Sequence, residues 1–422
     1  MTRLYLLFLC CFLQIGLLHS QDQSRKLYSL AQVTEDFDYY ITALKGNHPN
    51  IHAFITEKEL NKELGRVRNQ LTDSMSLFEF GKALFSLQHC FDGHSGIYYM
   101  DFGASCFKEK APYLYPDSLT NDAIYLNGRK VTAINGISSR EIVQRMKRYV
   151  NSEDNPALVQ CQLRMCFPHL SYYLLDLVPP YRITYQDKKG KHITQVEPVE
   201  DSSIMSRYDG TFICEPFLFK SYPESSIAQI DFNRCDLEAL GGEANFELML
   251  DSIFKEIKHY KYLFIDISRN TGGNDRVCYA LFNRLKHDGI QTTIRNIPSS
   301  KGTVHYKLPQ STDGYEGTVF MIAGPWTYSS GYIFWWIMQT SQRGVFVGQS
   351  PGHLRAMYAP VSYANLPNTG LSFHYPTGGE YWKANITPDI PWNLDCFHSS
   401  FTLEELKKVI ELYNHKSMKS RK

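Results

Sequence analysis

The chain has 422 residues, of which 43% are hydrophobic and 21% are charged. This composition is typical of a globular protein long enough for two or three domains, and it excludes an intrinsically disordered chain. The 44 lysines and arginines balance 43 aspartates and glutamates, so the formal net charge is +1. Such a balance argues against nucleic acid or an anionic membrane as the main partner.

The first twenty residues have the pattern of a secretory signal peptide. Arg3 precedes an apolar stretch from Leu4 to Leu18. The stretch is short for a membrane span and no basic segment follows it, so cleavage is expected rather than anchoring. We therefore expect an exported protein of bacterial origin, periplasmic or extracellular, with no membrane span once residues 1–20 are removed.

Cysteine usage agrees with export. Two of the ten cysteines lie in the apolar stretch, and the other eight follow it. An even number in an exported chain permits disulfides, although the sequence leaves their pairing open. The chain contains no Cys-Xaa-Xaa-Cys pair and no His-Glu-Xaa-Xaa-His motif, so neither a metal site nor a cofactor is expected.

Residues 21–104 predict a helical module. Apolar residues in the stretch 30–44 recur every three or four positions, which indicates an amphipathic helix. Two further helix starts have the spacing of capping boxes, at Thr56–Glu59 and Ser76–Glu79. A structural role for this module is the preferred interpretation.

Residues 105–200 predict a compact, mostly β module. The stretch Val131–Met146 is typical of a strand, an Asn-Gly turn and a helix. Arg182–Tyr185 and His192–Val196 flank a polar turn and predict a hairpin.

Residues 201–422 alternate strands and helices, which is typical of a layered α/β core. A capping-box spacing at Thr402–Glu405 opens the last helix. The other predicted elements are strands at Ile227–Phe232, Tyr262–Ser268, Thr318–Ala323 and Val345–Gly348, and helices at Phe246–Ile257 and Ser329–Gln339.

Two consecutive glycines follow an apolar strand in YLFIDISRNTGGND, Tyr262–Asp275. Without Cβ atoms, Gly272 and Gly273 expose their backbone amides at close range. Such amides near a helix start can stabilise a developing oxyanion. Taken alone, a strand–Gly-Gly–helix junction is more often only a tight connection.

Two serines stand at a predicted helix start in VFMIAGPWTYSSGYIFWWIM, Val319–Met338. The positive end of the helix dipole favours a negative oxygen at Ser329 or Ser330. A serine in this place is most often only an N-cap. The nearby Gly-Gly junction is what makes a nucleophile the better interpretation.

A glycine-rich turn in HCFDGHSGIYY, His89–Tyr99, carries His94. Histidine is the commonest general base near neutral pH. Because the chain holds 14 histidines, any single one is more often structural than catalytic.

Together the three segments resemble the tail-specific (C-terminal processing) serine protease family. Asp266–Gly273 resembles the family signature Asp-Leu-Arg-Xaa-Asn-Xaa-Gly-Gly, and Thr327–Phe334 resembles its nucleophile helix, Thr-Ala-Ser-Ala-Ser-Glu-Ile-Phe. Asp92–Ser95 is similar to the Asp-Gly-His turn of the tricorn-like branch, in which histidine is the base. The resemblance covers about residues 30–100 and 225–395.

The resemblance implies a multi-domain α/β fold with a ClpP/crotonase-like ββα core. On this interpretation the segments are a signal peptide at 1–20, a helical module at 21–104, a PDZ-like, mostly β module at 105–200 and the peptidase core at 201–422. The PDZ-like module is the weakest part of the resemblance, since its turn is a common one.

By this resemblance Ser329 is the nucleophile and His94 the general base. One departure concerns the lysine that Ser-Lys members of the family carry after the strand ending at Gly348. Here the corresponding turn is Pro351–His353, so His353 is the alternative base. Ser330 is the alternative nucleophile.

The remaining roles are also implied by the resemblance. Backbone amides of Gly272 or Gly273, together with that of Ser330, would form the oxyanion hole. Glu380 lies about two residues from the position of the glutamate that orients the histidine in tricorn-like members, and a surface glutamate is the competing interpretation. A site uniting His94 and Ser329 would form between the helical module and the core.

The implied function is hydrolysis of peptide bonds in peptides or unfolded proteins through an acyl-enzyme on Ser329. The alternative is an exported member that has lost catalysis and binds peptides or apolar ligands, since a fold does not dictate function. An unrelated esterase is disfavoured because no Gly-Xaa-Ser-Xaa-Gly elbow surrounds Ser329. The oligomeric state is left open.

Overall fold

The structure is a computed structural model. It describes residues 26–97, 111–120, 122–151, 153–187, 190–196, 199–201, 215–295, 303–354, 357–378, 380–381, 387–398 and 400–419. The signal-like segment 1–20 lies outside these residues.

Helices are distributed over the whole described chain. They are α1 Leu30–Asn47, α2 Glu57–Arg68, α3 Leu77–Phe85, α4 Ser139–Met146, α5 Pro156–His169, α6 Glu243–Glu256, α7 Arg276–Phe282, α8 Ser330–Thr340 and α9 Leu403–Lys419. Within the described residues, no helix has both the length and the apolar content that crossing a membrane requires.

Strands are mostly short. They are β1 Leu27–Tyr28, β2 Met75–Ser76, β3 Gly96–Ile97, β4 Ala111–Tyr113, β5 Ser118–Leu119, β6 Ile124–Leu126, β7 Arg129–Ile134, β8 Ile137–Ser138, β9 Tyr181–Asp187, β10 Gly190–Val196, β11 Val199–Asp201, β12 Phe217–Tyr222, β13 Ile227–Phe232, β14 Tyr262–Asp266, β15 Ile290–Arg295, β16 Thr303–Leu308, β17 Thr318–Ala323, β18 Val345–Gly348, β19 Met357–Tyr358, β20 Val361–Asn365, β21 Ser372–Pro376, β22 Glu380–Tyr381 and β23 Ile390–Pro391.

The chain forms two compact units. Among the described residues, the first unit comprises those within 26–151, 162–201 and 358–378, and the second those within 153–161, 215–357 and 380–419. Each unit is therefore built from segments that are distant in sequence.

Local signals in the first unit produce the helices that they predict. Thr56 accepts a hydrogen bond from the amide of Glu59, whose carboxylate accepts one from the amide of Thr56. Ser76 and Glu79 make the same reciprocal pair. These boxes satisfy amides at the first turns of α2 and α3 that have no partner within the helix.

The predicted hairpin of the first unit is also confirmed. β9 pairs with β10 in antiparallel register, and the sheet continues through β7 and β6 to β5. Asn135 and Gly136 connect β7 to β8 with φ angles of 50° and 85°. Positive φ at both positions is what a type I′ turn requires, and Asn-Gly provides it at low cost.

The second unit is built on a six-stranded sheet in the order β12-β13-β14-β17-β18-β23. Only β12 is antiparallel to its neighbour, and the other pairs are parallel. The central strands β13, β14 and β17 are buried almost throughout, which explains their continuous apolar runs. The coarse prediction of a multi-domain α/β protein is confirmed.

The helix α8 is apolar on every side, and its residues Ser330 to Met338 are all buried. Helices of this kind lie inside a core rather than on its surface. One apolar cluster includes side chains of the sheet and of the C-terminal helix α9, among them Phe264, Phe320 and Leu406.

One disulfide joins Cys161 to Cys396, both in the second unit. It connects positions 235 residues apart, and it attaches the start of α5 to the segment before α9. Cross-links that close long loops stabilise a fold chiefly by restricting the unfolded chain.

We expect the Cys161→Ala/Cys396→Ala variant to lose about 2–5 kcal/mol of unfolding free energy, as is typical for a native disulfide. The measurement is the thermal unfolding midpoint of both proteins with and without a thiol reductant. Reductant should lower the midpoint of the wild type and leave that of the variant unchanged. Equal midpoints for both proteins under oxidising conditions would contradict the expectation.

Candidate active site

Four loops of the second unit leave the same edge of the parallel sheet. Asp231 at the end of β13 pairs with Asp266 at the end of β14, which pairs with Ile322 in β17. Ala323 in turn pairs with Gly348 at the end of β18. Ligand and catalytic sites of open α/β sheets form at this carboxyl edge, because the loops of neighbouring strands meet there.

Ser329 lies directly before α8 with φ 50° and ψ −124°. A positive φ is uncommon for a residue with a Cβ, and such strain concentrates at functional sites. Ser329 gives no side-chain cap to α8, so it does not play the N-cap role that serine most often has at a helix start.

The backbone of Gly272 approaches Ser329 closely. A Cβ added at Gly272 would lie 2.5 Å from the Cβ of Ser329, 2.9 Å from its Oγ and 2.9 Å from the nitrogen of Ser330. Gly272 also has φ 105°, in the region that favours glycine. The first glycine of the pair is therefore required by both space and backbone conformation.

Asn270 organises this contact, a role that the sequence analysis missed. Its Oδ1 accepts the amide of Gly272 at 2.9 Å, and its carbonyl oxygen accepts the amide of Tyr328 at 2.9 Å. Its Nδ2 donates to the carbonyl of Phe232. Because the amide of Gly272 is used by Asn270, the amides of Gly273 and Ser330 are the better candidates for an oxyanion hole.

The hydroxyl of Ser330 donates a hydrogen bond of 2.7 Å to the carbonyl oxygen of Gly273. Ser330 is 4% exposed, whereas Ser329 is partly exposed. A buried hydroxyl that is already hydrogen-bonded to the backbone is suited to holding the loop in place. Of the two serines, Ser329 is therefore the better candidate for a nucleophile.

His353 is the histidine that contacts Ser329 within the second unit. Its Nε2 accepts the backbone amide of Ser329 at 3.2 Å. The ring stacks on Tyr328 with 3.7 Å between centroids and is fully buried. The alternative base of the sequence analysis is thus adjacent to the candidate nucleophile.

The other ring nitrogen of His353 meets a carboxylate that the sequence analysis did not consider. Nδ1 lies 3.2 Å from Oε2 of Glu153, and the other oxygen of that carboxylate accepts the hydroxyl of Tyr328. Glu153 precedes α5 and belongs to the second unit. The only local signal near it is Asn155 before Pro156, which is typical of a helix start.

His94 belongs to the first unit, where Asp92 holds its turn. The amide of His94 donates to Oδ1 of Asp92 at 2.6 Å, and the hydroxyl of Ser95 also donates to this carboxylate. The second oxygen of Asp92 is paired with Nε2 of His48. A role for His94 as the base of Ser329 remains a prediction.

Glu380 lies in the two-residue strand β22, and its side chain lies outside the described residues. Its predicted role in orienting a base therefore remains a prediction.

Two buried thiols lie behind the glycine loop. The sulfur atoms of Cys235 and Cys278 are 3.5 Å apart, and Cys278 donates to the carbonyl of Ser330. Burial, followed by the neighbouring Cys235, raises the pKa of the Cys278 thiol well above its usual value. A thiol in this state is protonated at neutral pH and is a poor nucleophile.

Burial also raises the pKa of Asp266, and the neighbouring Asp231 adds to that shift. Among the residues that the structure describes, no three His, Cys, Asp or Glu side chains are grouped to hold a metal ion.

We expect Gly272→Ala to reduce the labelling of Ser329 by a fluorophosphonate at least about 10²-fold, since small displacements of a nucleophile have effects of this size. The added methyl would overlap the Cβ of Ser329. Gly65→Ala is the matched control, because a Cβ at Gly65 would meet no atom within 4 Å. Equal labelling rates in Gly272→Ala and the wild type would show that this close approach is dispensable.

Comparisons with known proteins agree with the architecture. Residues 227–392 match the model of peptidase family S41. The structure of mature CPAF complexed with lactacystin aligns with a TM-score of 0.60 and 11% identity, covering 91% of this chain and 98% of that one.

A crystal structure of mature CPAF aligns with a TM-score of 0.59 and 12% identity, covering 90% of this chain and 96% of that one. No curated protein matches this chain in sequence. At these identities the structural likeness shows a shared fold. The part of the chain that matches the model of peptidase family S41 includes the glycine loop, Ser329 and His353, and this match supports a serine-type peptidase.

Proposed function

We propose that this protein is a serine endopeptidase in which Ser329 is the nucleophile and His353 is the general base. The observation that carries the proposal is the contact of 3.2 Å between Nε2 of His353 and the backbone nitrogen of Ser329. A ring nitrogen that accepts a hydrogen bond carries no proton. Its lone pair accepts the amide of Ser329 here, and in the reaction it would have to turn to the hydroxyl of the same residue. That electron pair is what removal of the hydroxyl proton needs.

The reaction would be acyl transfer. Oγ of Ser329 attacks the carbonyl carbon of a peptide bond while its proton passes to Nε2 of His353. The negative oxygen is stabilised by the amides of Gly273 and Ser330. The proton then passes to the departing amine as the carbon–nitrogen bond breaks, and water hydrolyses the acyl-enzyme in the second half-reaction.

We propose peptides or unfolded proteins as substrates, in keeping with the family resemblance of the sequence. We also propose export to the periplasm or the extracellular space. Two observations support export: the signal-like composition of residues 1–20, and the disulfide between Cys161 and Cys396. Disulfides persist mainly in oxidising compartments.

The test is hydrolysis of casein by the wild type and by four alanine variants. We expect Ser329→Ala and His353→Ala to lose at least about 10³-fold in kcat, as removal of a nucleophile or its base typically does. Ser330→Ala should retain a measurable fraction, because its hydroxyl bonds to the backbone of the glycine loop. His259→Ala is the control for a surface histidine and should match the wild type.

His94→Ala separates the two candidate bases. If His353 is the base, His94→Ala should retain more activity than His353→Ala. Full activity in His353→Ala together with none in His94→Ala would transfer the role of base to His94. If the wild type hydrolyses nothing and forms no Ser329-dependent fluorophosphonate adduct, the protein is a binding member of the family instead.

A further inference from the structure

We propose that Glu153 is a positioning residue, which holds His353 in the tautomer whose Nε2 carries no proton and lies beside Ser329. This inference rests on the proposed function, since it assigns a partner to the proposed base. It concerns a residue that lies 176 positions before Ser329 and outside the stretch that matches the peptidase family.

The two side chains form a buried pair. Glu153 and His353 have side-chain exposures of 0% and 1%, and 3.2 Å separates Oε2 from Nδ1. A buried carboxylate is costly unless it is hydrogen-bonded. Here one oxygen faces the imidazole and the other accepts the hydroxyl of Tyr328. The carboxylate therefore stabilises a proton on Nδ1.

The two contacts of His353 fix its tautomer. Nε2 accepts the amide of Ser329, so it carries no proton, and the ring proton lies on Nδ1 toward Glu153. A neutral imidazole has only one N–H, and the partner of one nitrogen decides the state of the other. Only this tautomer has a basic nitrogen beside Ser329.

Aromatic rings hold the imidazole plane. Tyr328 stacks on His353 with an interplanar angle of 29°, and Tyr332 packs edge-on with 5.2 Å between centroids. Tyr328 thus contacts the imidazole with its ring and Glu153 with its hydroxyl. Both members of the pair are fixed by the residue next to the nucleophile.

The backbone around Glu153 is strained. Glu153 and Asp154 have φ angles of 47° and 50°. Two consecutive non-glycine residues at positive φ are unfavourable, and strain of this kind persists when surrounding contacts enforce it. The conformation places the Glu153 side chain inside, while Asp154 is exposed.

Asn155 connects this turn to the turn that carries His353. Its Nδ2 donates to the carbonyl oxygens of Pro351 and Gly352 at 2.9 and 3.0 Å. Its Oδ1 accepts the amide of Leu158 and so satisfies the first turn of α5. Asn155 is therefore hydrogen-bonded to Gly352, which connects the turn of Glu153 to the residue before His353.

The disulfide strengthens the same attachment. Cys161 lies in α5, eight residues after Glu153, and its bridge to Cys396 fixes this helix start to the second unit. Three connections thus hold the segment 153–161 in place: the contact of Glu153 with His353, the Asn155 hydrogen bonds and the disulfide. Such redundancy is expected where a side chain must be positioned accurately.

In the reaction Glu153 would act on His353 through its carboxylate. When Nε2 takes the proton of Ser329, the imidazole becomes positively charged, and the adjacent carboxylate stabilises that charge. The carboxylate itself takes no proton. Its removal should therefore lower the rate of the chemical step and leave substrate binding unchanged.

The experiment compares Glu153→Gln with the control Asp154→Asn. Both variants remove one negative charge from the same turn, and only the first alters the contact with His353. We expect Glu153→Gln to reduce kcat for casein hydrolysis about 10²–10⁴-fold with KM unchanged, because an amide can donate to Nδ1 and favour the wrong tautomer. Asp154→Asn should keep the wild-type kcat.

Two further measurements separate positioning from a merely structural role. Glu153→Asp keeps the charge and should recover part of the lost kcat. Histidine-selective ¹⁵N NMR reports the tautomer directly, using the signal that disappears in His353→Gln. This signal should show the Nδ1–H form in the wild type and move toward the Nε2–H form in Glu153→Gln.

Wild-type kcat in a folded Glu153→Gln variant, or an unchanged tautomer signal, would overturn the inference. If Glu153→Gln does not fold, Glu153→Asp and the wild-type tautomer still decide: an Nε2–H form in the wild type would refute it. The proposed function fails separately, through undiminished hydrolysis by Ser329→Ala or His353→Ala. Loss of activity in those two variants with full activity in Glu153→Gln would refute only the role of Glu153.

Discussion

The site depends on one constraint, the parallel pairing of the central strand β14 with its two neighbours. These neighbours are β13 on one side and β17 on the other. This register places the ends of these strands at one edge, with Asp266 opposite both Asp231 and Ile322. Every loop that leaves the edge must then turn within the same small volume. The glycine loop, the turn of Ser329 and the turn of His353 are joined by backbone hydrogen bonds, from Tyr328 to Asn270 and from Gly352 to Thr327.

Close contact between these loops requires residues without a side chain at the points where the loops approach each other. A Cβ at Gly331 would lie 2.4 Å from the carbonyl oxygen of Asn270, and one at Gly352 would lie 2.7 Å from the Tyr328 ring. Gly272 has the same relation to Ser329. At each of these points the backbone of a glycine therefore lies directly against a neighbouring segment, where a side chain would not fit. A nucleophile with unfavourable φ can be maintained in such surroundings.

The sequence predicts well those strand bounds and helix starts that depend on residues close together in the chain. Continuous apolar runs predicted β13, β17 and β18 to their end residues, and reciprocal serine or threonine and glutamate spacing predicted the starts of α2 and α3. These patterns reflect interactions within a few positions of the chain. The predicted strand at Tyr262–Ser268 ends two residues earlier, at Asp266, because the amide of Ser268 turns back to the Asp266 carboxylate.

The site was predictable only as far as its motifs are local. Ser329 and the glycine pair lie in recognisable turns, and His353 was available as an alternative. Glu153 had no such signal, because its partner lies 200 positions away. Likewise, the use of the Gly272 amide by Asn270 depends on a side-chain orientation that only coordinates show.

With His353 as the proposed base, a second buried residue is needed. By the resemblance of the sequence, Ser-Lys members of the family carry a lysine in the turn that corresponds to Pro351–His353. A lysine has a single nitrogen, and it must lose its charge to act as a base. An ordinary imidazole is largely neutral at pH 7 but has two nitrogens, either of which can hold the proton. A histidine base therefore does not have to lose a charge. It does need a partner that keeps the ring proton on Nδ1, the nitrogen that faces away from Ser329. Glu153 lies at hydrogen-bonding distance from that nitrogen, and Tyr328 and Asn155 prevent the carboxylate and the imidazole from moving apart.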